Sequence, residues 1–450
     1  MVATGNMMTE RIDMVFTFNI SLFPSTSDIN KDGHLCVGGC DLVQLAGEYG
    51  TPLYIFDEKD LRDKCREYII EFNKYYPGTI VAYASKAFIN TALVQIFKEE
   101  GLYLDVVSAG EMSIAHASGF PMENIYFHGN NKGPEELKLA LQWKVGCIVV
   151  DNFHELNLLE KLTQELDLKQ NILLRITPGI DPHTHQKIST GNIDSKFGFS
   201  RGSRELAVNQ ALTSSNLRLV GLHHHIGSLI FETLPFQEAI TATLSFAAEM
   251  KAKNGFILKE LNVGGGYAIQ YTSDAPNQPA RVYAEAIASR IKDECARLKL
   301  DLPKLTTEPG RSIVGRAGVA LYKVGSIKDI PAVRRYVSVD GGMADNIRPA
   351  IYGSKYEAAV ANKALAKNEK VVSIAGKFCE SGDILINNIK LPPLSSGDLI
   401  AVPGCGAYCL AMASNYNASL KPPIILIKEG KARLIRRRET YEDLCRTDVV

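Results

Sequence analysis

The sequence predicts an α/β chain, a (β/α)8 barrel of the TIM-like kind followed by a mainly β unit. Three observations carry this. Short apolar runs alternate eight times with helical stretches between residues 79 and 307. Each run stops at a glycine, serine, histidine or charged residue. Beyond about residue 308 the rhythm changes to valine- and isoleucine-rich runs separated by turn residues, with one helical piece near 405–412.

Taken in order, residues 1–30 are rich in methionine and carry Glu10 and Asp13, with no apolar stretch after a basic start. They read as a loosely ordered extension and not as a targeting segment. Residues 34–37 read as a strand lent to the later β unit. A helix over 61–73 precedes the first barrel strand, which is off the pattern of an ordinary barrel. Strands follow at 79–83, 102–107, 125–127, 147–150, 172–176, 219–223, 260–263 and 305–307. Helices separate them at 90–98, 110–117, 134–142, 154–165, 204–212, 235–253 and 282–298. The β unit takes 319–324, 334–339, 370–375, 383–386, 398–402, 424–428 and 432–436. The expected organisation is an extension (1–30), a barrel (51–308) and a discontinuous β-rich domain built from 31–50 and 309–450.

Composition narrows the function. The 450 residues hold 50 basic and 50 acidic side chains, so no charge excess points to nucleic acid or an anionic membrane. No apolar run approaches the ~18–20 residues of a membrane span. The nine cysteines are scattered and odd in number, which suits free thiols in a reducing compartment and a cytoplasmic enzyme. Cys36 and Cys40 lack a second pair or a histidine cluster, so no metal site is expected there.

In a barrel, catalytic groups gather where the strands end. Lys86 follows the first strand, in TIVAYASKAF. Small neighbours leave room for something flat beside it. Burial there disfavours the ammonium and favours Schiff-base chemistry, although a lone strand-end lysine is commonly a solvated one. Asp105 and Ser108 end the second strand, His128 and Asn130 follow the third, and Arg175 ends the fifth. HHHIGS (223–228) ends the sixth, with His223 and His225 on one face and His224 on the other. Gly264, Gly265 and Gly266 end the seventh strand, and Glu308, Pro309, Gly310 and Arg311 the eighth. Glycines after the seventh and eighth strands let backbone amides approach a phosphate, and Ser228 and Tyr408 could add hydroxyl donors. A phosphate anchor plus a Schiff-base lysine implies pyridoxal 5'-phosphate. Glu308 could keep its pyridine nitrogen protonated, or could pair with Arg311.

These motifs resemble the diaminopimelate decarboxylase family of fold-type III, alanine-racemase-like pyridoxal-phosphate enzymes. The resemblance runs from about residue 32 to the C-terminus. It rests on YASKA (83–87), HHHIGS, NVGGGY (262–267), EPGRS (308–312), RPAIY (348–352), CESGD (379–383), GAY (406–408), SNYN (414–417) and RRRETYEDL (436–444). It implies a barrel of the alanine-racemase type, Lys86 carrying the cofactor, His225 stacked on its ring and Glu308 at the pyridine nitrogen. Asp105, Arg175, Ser228, Gly264–Gly266, Pro309, Gly310, Arg311 and Tyr408 would complete the cofactor site. Arg311, Arg348, Tyr352 and Tyr408 would face a substrate carboxylate, and Glu380 a substrate ammonium. Cys379 would be the proton donor, reaching into the partner's site in a homodimer. Lys377 stands where the family usually has proline. The distal end of meso-diaminopimelate carries one carboxylate and one ammonium, so an arginine clamp plus a glutamate suits it. The implied reaction is decarboxylation at the D-centre, yielding L-lysine and carbon dioxide as the last step of lysine biosynthesis. The rival readings are an ornithine, arginine or carboxynorspermidine decarboxylase, an amino-acid racemase on the same fold, and a regulator that has lost catalysis.

Overall fold

The structure, a computed structural model, describes residues 18–180 and 195–449. Eight parallel strands close a barrel: Ile80–Ala84, Tyr103–Val106, Ile125–Phe127, Cys147–Val150, Gln170–Arg175, Leu217–His223, Glu260–Asn262 and Lys304–Thr307. Neighbours in sequence are neighbours in the barrel, and closure comes where Thr306 pairs with Ile80. Every strand expected from the apolar runs is present. The residues alternate as a strand requires. Ile80 and Ala82 point inward with Tyr126, Cys147, Val149 and Leu173. Tyr83 points outward and stacks on Phe97 of the helix Thr91–Glu99, with ring centroids 4.0 Å apart. Inside the barrel, Tyr126 and Thr306 both donate to Glu260, at 2.6 and 2.8 Å, so that buried carboxylate is satisfied. The strand-to-helix turns are capped from the side chain: Asn90, Ser108 and Asn152 each accept the amide three residues on.

The early helix, Glu58–Tyr75, packs against the last barrel helix, Ala280–Leu298. After the eighth strand the chain leaves the barrel through the short helix Arg311–Val314. The helix from before the first strand covers the flank that this departure opens.

The second unit is a nine-stranded sheet. The long strand Gly318–Ile330 pairs with Arg334–Val339, with Leu399–Val402 and with Leu53–Asp57. Leu53–Asp57 also pairs in parallel with Ile424–Lys428. The segment placed at the start of the barrel domain (from 51) therefore lies in the middle of the other sheet. Its five residues are all buried, and a run buried on both faces reads the same in either sheet. The 34–37 strand exists as Leu35–Val37, but pairs only within a small antiparallel sheet with Asp28–Ile29 and Cys40–Asp41. It packs on the large sheet through Leu35 and Val37, against Leu53, Ile55, Val319 and Leu321. The helical piece expected near 405–412 is only the 3-10 turn Leu410–Met412. Of the expected extension, residues 1–17 lie outside the described residues. Leu22, Phe23 and Ile29 are buried, so the chain is packed well before residue 30. All nine cysteines are free. Among the described residues, no helix is long and apolar enough to cross a membrane.

Candidate active site

A cavity of about 800 Å³ opens where the barrel strands end. Lys86, His128, Arg175, His225, Ser228, Gly266, Glu308, Gly310, Arg311, Arg348, Tyr352 and Tyr408 all line it. Lys86 sits on a 3-10 turn, Ser85–Ala87, directly after the first strand. Its Nζ lies 3.7 Å from Asp105 Oδ2, and its side chain stays 38% exposed. Burial pushes the amine's pKa down, but Asp105, Tyr408 and Glu308 outweigh burial and raise it. The lowered amine expected from burial alone is thus reversed by the carboxylates of the protein itself.

Glu308 is the best-held group in the cavity. Asn262 Nδ2 donates to its Oε1 at 2.6 Å. His128 Nε2 stands 2.8 Å from Oε1 and His223 Nε2 3.4 Å from Oε2. Burial pushes the carboxyl up, yet the two histidines outweigh it and hold it well below the usual glutamate range. His223 itself is driven down to about 3, by burial first and against the pull of Glu308. We read it as a neutral ring, because burial removes the water that a charged imidazole needs; it lies beside the carboxylate without hydrogen-bond geometry. Three strand ends supply this cage, and Glu308 does not pair with Arg311. His128, His223 and Glu308 also place three ligand-capable atoms within 4.8 Å of one another. The histidine run alone offered no third partner. In the fold, Asn262 makes a hydrogen bond to this carboxylate, whereas the two rings approach it without hydrogen-bond geometry.

The histidine run alternates as expected. His223 faces Glu308 and His224 turns outward, its Nδ1 2.9 Å from Thr243 Oγ1 on the helix Leu234–Asn254. His225 Nδ1 accepts the Gly265 amide at 3.2 Å, which leaves the proton on Nε2. The glycine triplet has a packing cause of its own. A Cβ on Gly265 would meet the Glu308 carbonyl oxygen at 1.9 Å, and one on Gly264 the His224 carbonyl oxygen at 2.7 Å. Pro309 closes the rim, its carbonyl accepting the Ala84 amide at 3.0 Å.

Arg311 spans two halves of the cavity. Its Nη2 donates to Ser228 Oγ at 3.0 Å and its Nη1 to Tyr271 Oη at 2.7 Å. Its guanidinium lies over the Tyr408 ring at 4.5 Å. Tyr408 adopts φ 60 and donates its amide to the Ala87 carbonyl at 2.8 Å, which joins this loop to the Lys86 turn. Arg348, only 3% exposed, donates to Tyr356 and lies over the Tyr271 ring at 4.7 Å. Arg175 lies over Phe197 at 4.3 Å, with its Nε 3.9 Å from Asp151. Sequence reasoning singled out neither Asn262 as a partner of Glu308 nor Tyr271 and Tyr356. Asn262 opens the NVGGGY motif and was visible there; the two tyrosines carry no local signal.

Cys379 and Glu380 are not among the residues lining this cavity. Cys379 is exposed and lines a second cavity of about 620 Å³, with Lys377, Phe378 and Asn417. Its amide donates to Asn417 Oδ1 at 3.0 Å. Asp383 shapes the loop by accepting the Phe378 and Met343 amides at 2.9 and 2.7 Å. The Lys377 amide donates to the Gly341 carbonyl at 3.1 Å, so a residue with a backbone N–H is used where proline has none.

Residues 62–315 match the family described as pyridoxal-dependent decarboxylase, pyridoxal binding domain. A diaminopimelate decarboxylase of Bacillus subtilis (strain 168) is 49% identical over 426 residues, covering 94% of this chain and 97% of the relative. That of Synechocystis is 43% identical, covering 96% of this chain and 93% of the relative. A crystal structure of diaminopimelate decarboxylase from M. jannaschii in complex with L-lysine superposes with a TM-score of 0.89. It is 37% identical and covers 95% of this chain and 98% of that one. A lysine/ornithine decarboxylase from Vibrio vulnificus, 21% identical with a TM-score of 0.73, shares the fold.

Proposed function

The chain belongs to the diaminopimelate decarboxylases, within the pyridoxal-dependent decarboxylases, and on that premise we propose that it converts meso-2,6-diaminopimelate to L-lysine and carbon dioxide. The observation that carries the reading is the convergence of Lys86, a caged Glu308 carboxylate and two arginines on one cavity.

The residues present fit pyridoxal 5'-phosphate. Lys86 offers the only lysine amine on a strand-end turn beside an acid among the described residues lining the cavity. Buried Arg311 Nε has no protein partner, and Ser228, Tyr408, Gly266 and Gly310 surround it. Bound there, the cofactor supplies a sink for the electron pair left when carbon dioxide departs.

The chain's own part is to bind, orient and move protons. Lys86 would hold the cofactor covalently through its amine. Glu308, held ionised and fixed by Asn262 with His128 and His223 close by, would face the ring nitrogen. His225 would lie against the ring, its neutral state suited to an apolar contact; burial holds it well below its ordinary value. Asp105, 3.7 Å from the Lys86 amine, would position it, and Arg175 lines the wall. Arg348, Arg311, Tyr352 and Tyr408 receive the distal carboxylate, and Glu380 the distal ammonium. That clamp selects the L-centre, so carbon dioxide leaves from the D-centre. Cys379 then donates the proton to carbon.

Cys379 and Glu380 reach the reaction from a second copy. The position of Cys379 on a different cavity of its own chain supports a homodimer with shared sites. The domain reading becomes a barrel from about 58 to 310 and a sheet unit from 28–57 and 311–449. Incubation with meso-diaminopimelate and pyridoxal phosphate is expected to release equimolar lysine and carbon dioxide. Turnover of ornithine or arginine in preference, or racemisation without gas, sinks this reading.

A further inference from the structure

Two cations face the same substrate group, which is unfavourable unless something separates them. At guanidinium spacing in a buried pocket, like charges repel strongly. The group between them is Tyr271, 8% exposed and outside every motif that carried the functional reading. Its hydroxyl oxygen accepts from Arg311 Nη1 at 2.7 Å, and its ring face carries the Arg348 guanidinium at 4.7 Å. One side chain thus gives a lone pair to one cation and a π face to the other.

The ring cannot swing away. Tyr356 meets it edge-on, with centroids 5.3 Å apart at 79°, and is itself held because its hydroxyl oxygen accepts from Arg348 Nη1 and lies 3.6 Å from Cys409 Sγ. On another side lies Gly404 at φ +71, where a Cβ would sit 3.1 Å from the Tyr271 ring. We propose that Tyr271 is a positioning residue that spaces Arg311 and Arg348 into a two-guanidinium clamp for the distal carboxylate. The inference rests on the proposed function and deepens it. Tyr271 is not among the residues lining the cavity, so it acts through the two guanidinium groups and does not touch substrate itself.

The test uses the cofactor-loaded enzyme and two ligands. L-Lysine keeps the distal carboxylate; 1,5-diaminopentane lacks it. Calorimetric titration of Tyr271→Leu is expected to weaken L-lysine about tenfold and leave 1,5-diaminopentane within twofold. KM for meso-diaminopimelate should rise by a similar factor with kcat within about twofold. Tyr271→Phe keeps the ring face and loses only the acceptor, so its loss should be smaller, about threefold. Equal weakening of both ligands, or unchanged L-lysine affinity in both variants, overturns the proposal. Should Tyr271→Leu fail to hold cofactor, the Phe variant decides by the same ligand pair. A wild-type enzyme that releases no carbon dioxide instead sinks the function on which this rests.

Discussion

Asn262 shows how much depends on one amide. Its Nδ2 donates to Glu308 Oε1 at 2.6 Å and its Oδ1 accepts the Gly264 amide at 2.9 Å. It is fully buried. Asn262→Ala strands a carboxylate oxygen and a backbone amide together, at about 1–3 kcal/mol each. The expected result is a lower urea midpoint and weaker cofactor retention on dialysis; a variant unchanged in both would dismiss the cage. Lys86→Ala is expected to abolish the covalent cofactor's visible absorbance along with turnover. Decarboxylation at the wild-type rate in that variant would remove Lys86 from the central role. At this scale the sequence was generous with identities and poor with partners. Lys86, Glu308 and the glycine triplet stand out by position along strands. The side chains that steady the site come from elsewhere in the chain, Asn262 to Glu308 across 46 residues and Tyr271 to Arg311 across 40, and leave no periodic trace.

The strand that ends in three histidines carries a pH dependence that none of its residues has alone. Burial drives His223 down to about 3 and His224 to about 4, against an ordinary 6.5. The unfolded chain takes up protons below 6.5 while the folded chain refuses them. Stability is therefore intact above 6.5 and falls as the pH drops toward 4, by up to about 1.4 kcal/mol per pH unit for each ring. Urea midpoints measured from pH 7 to 4 should trace this fall, and His224→Asn should make it shallower. His224 faces Thr243 and not the cavity, so that variant leaves the site's donors in place. A pH-independent midpoint over that interval would contradict the buried neutral rings. Elements of this kind were readable because short runs with terminal punctuation are what parallel barrel strands require. Leu53–Asp57 was not: five consecutive buried residues satisfy a barrel and a mixed sheet equally, and only its partners decide.

At the level of the whole molecule, one chain presents two cavities that the proposed shared-site dimer would bring together. Lys86→Ala and Cys379→Ala homodimers should each be impaired, and mixing them should restore part of the activity, since a mixed dimer holds one intact pair. No recovery in isolated mixed dimers would argue that each chain works alone. The alternation of elements made the barrel legible from the sequence. The second unit was less so, because its sheet draws strands from both sides of the barrel and no local pattern records that. That interleaving has a consequence for biosynthesis. Leu53–Asp57 emerges early from the ribosome, but the strands on its two flanks, Gly318–Ile330 and Ile424–Lys428, come at least 260 residues later. For most of translation a largely apolar ribbon, LYIF before Asp57, waits with both edges open, the situation that invites intermolecular pairing. Nascent chains halted before residue 318, with neither partner strand made, should therefore be the stickiest, and chains extended past Lys428 should be tractable.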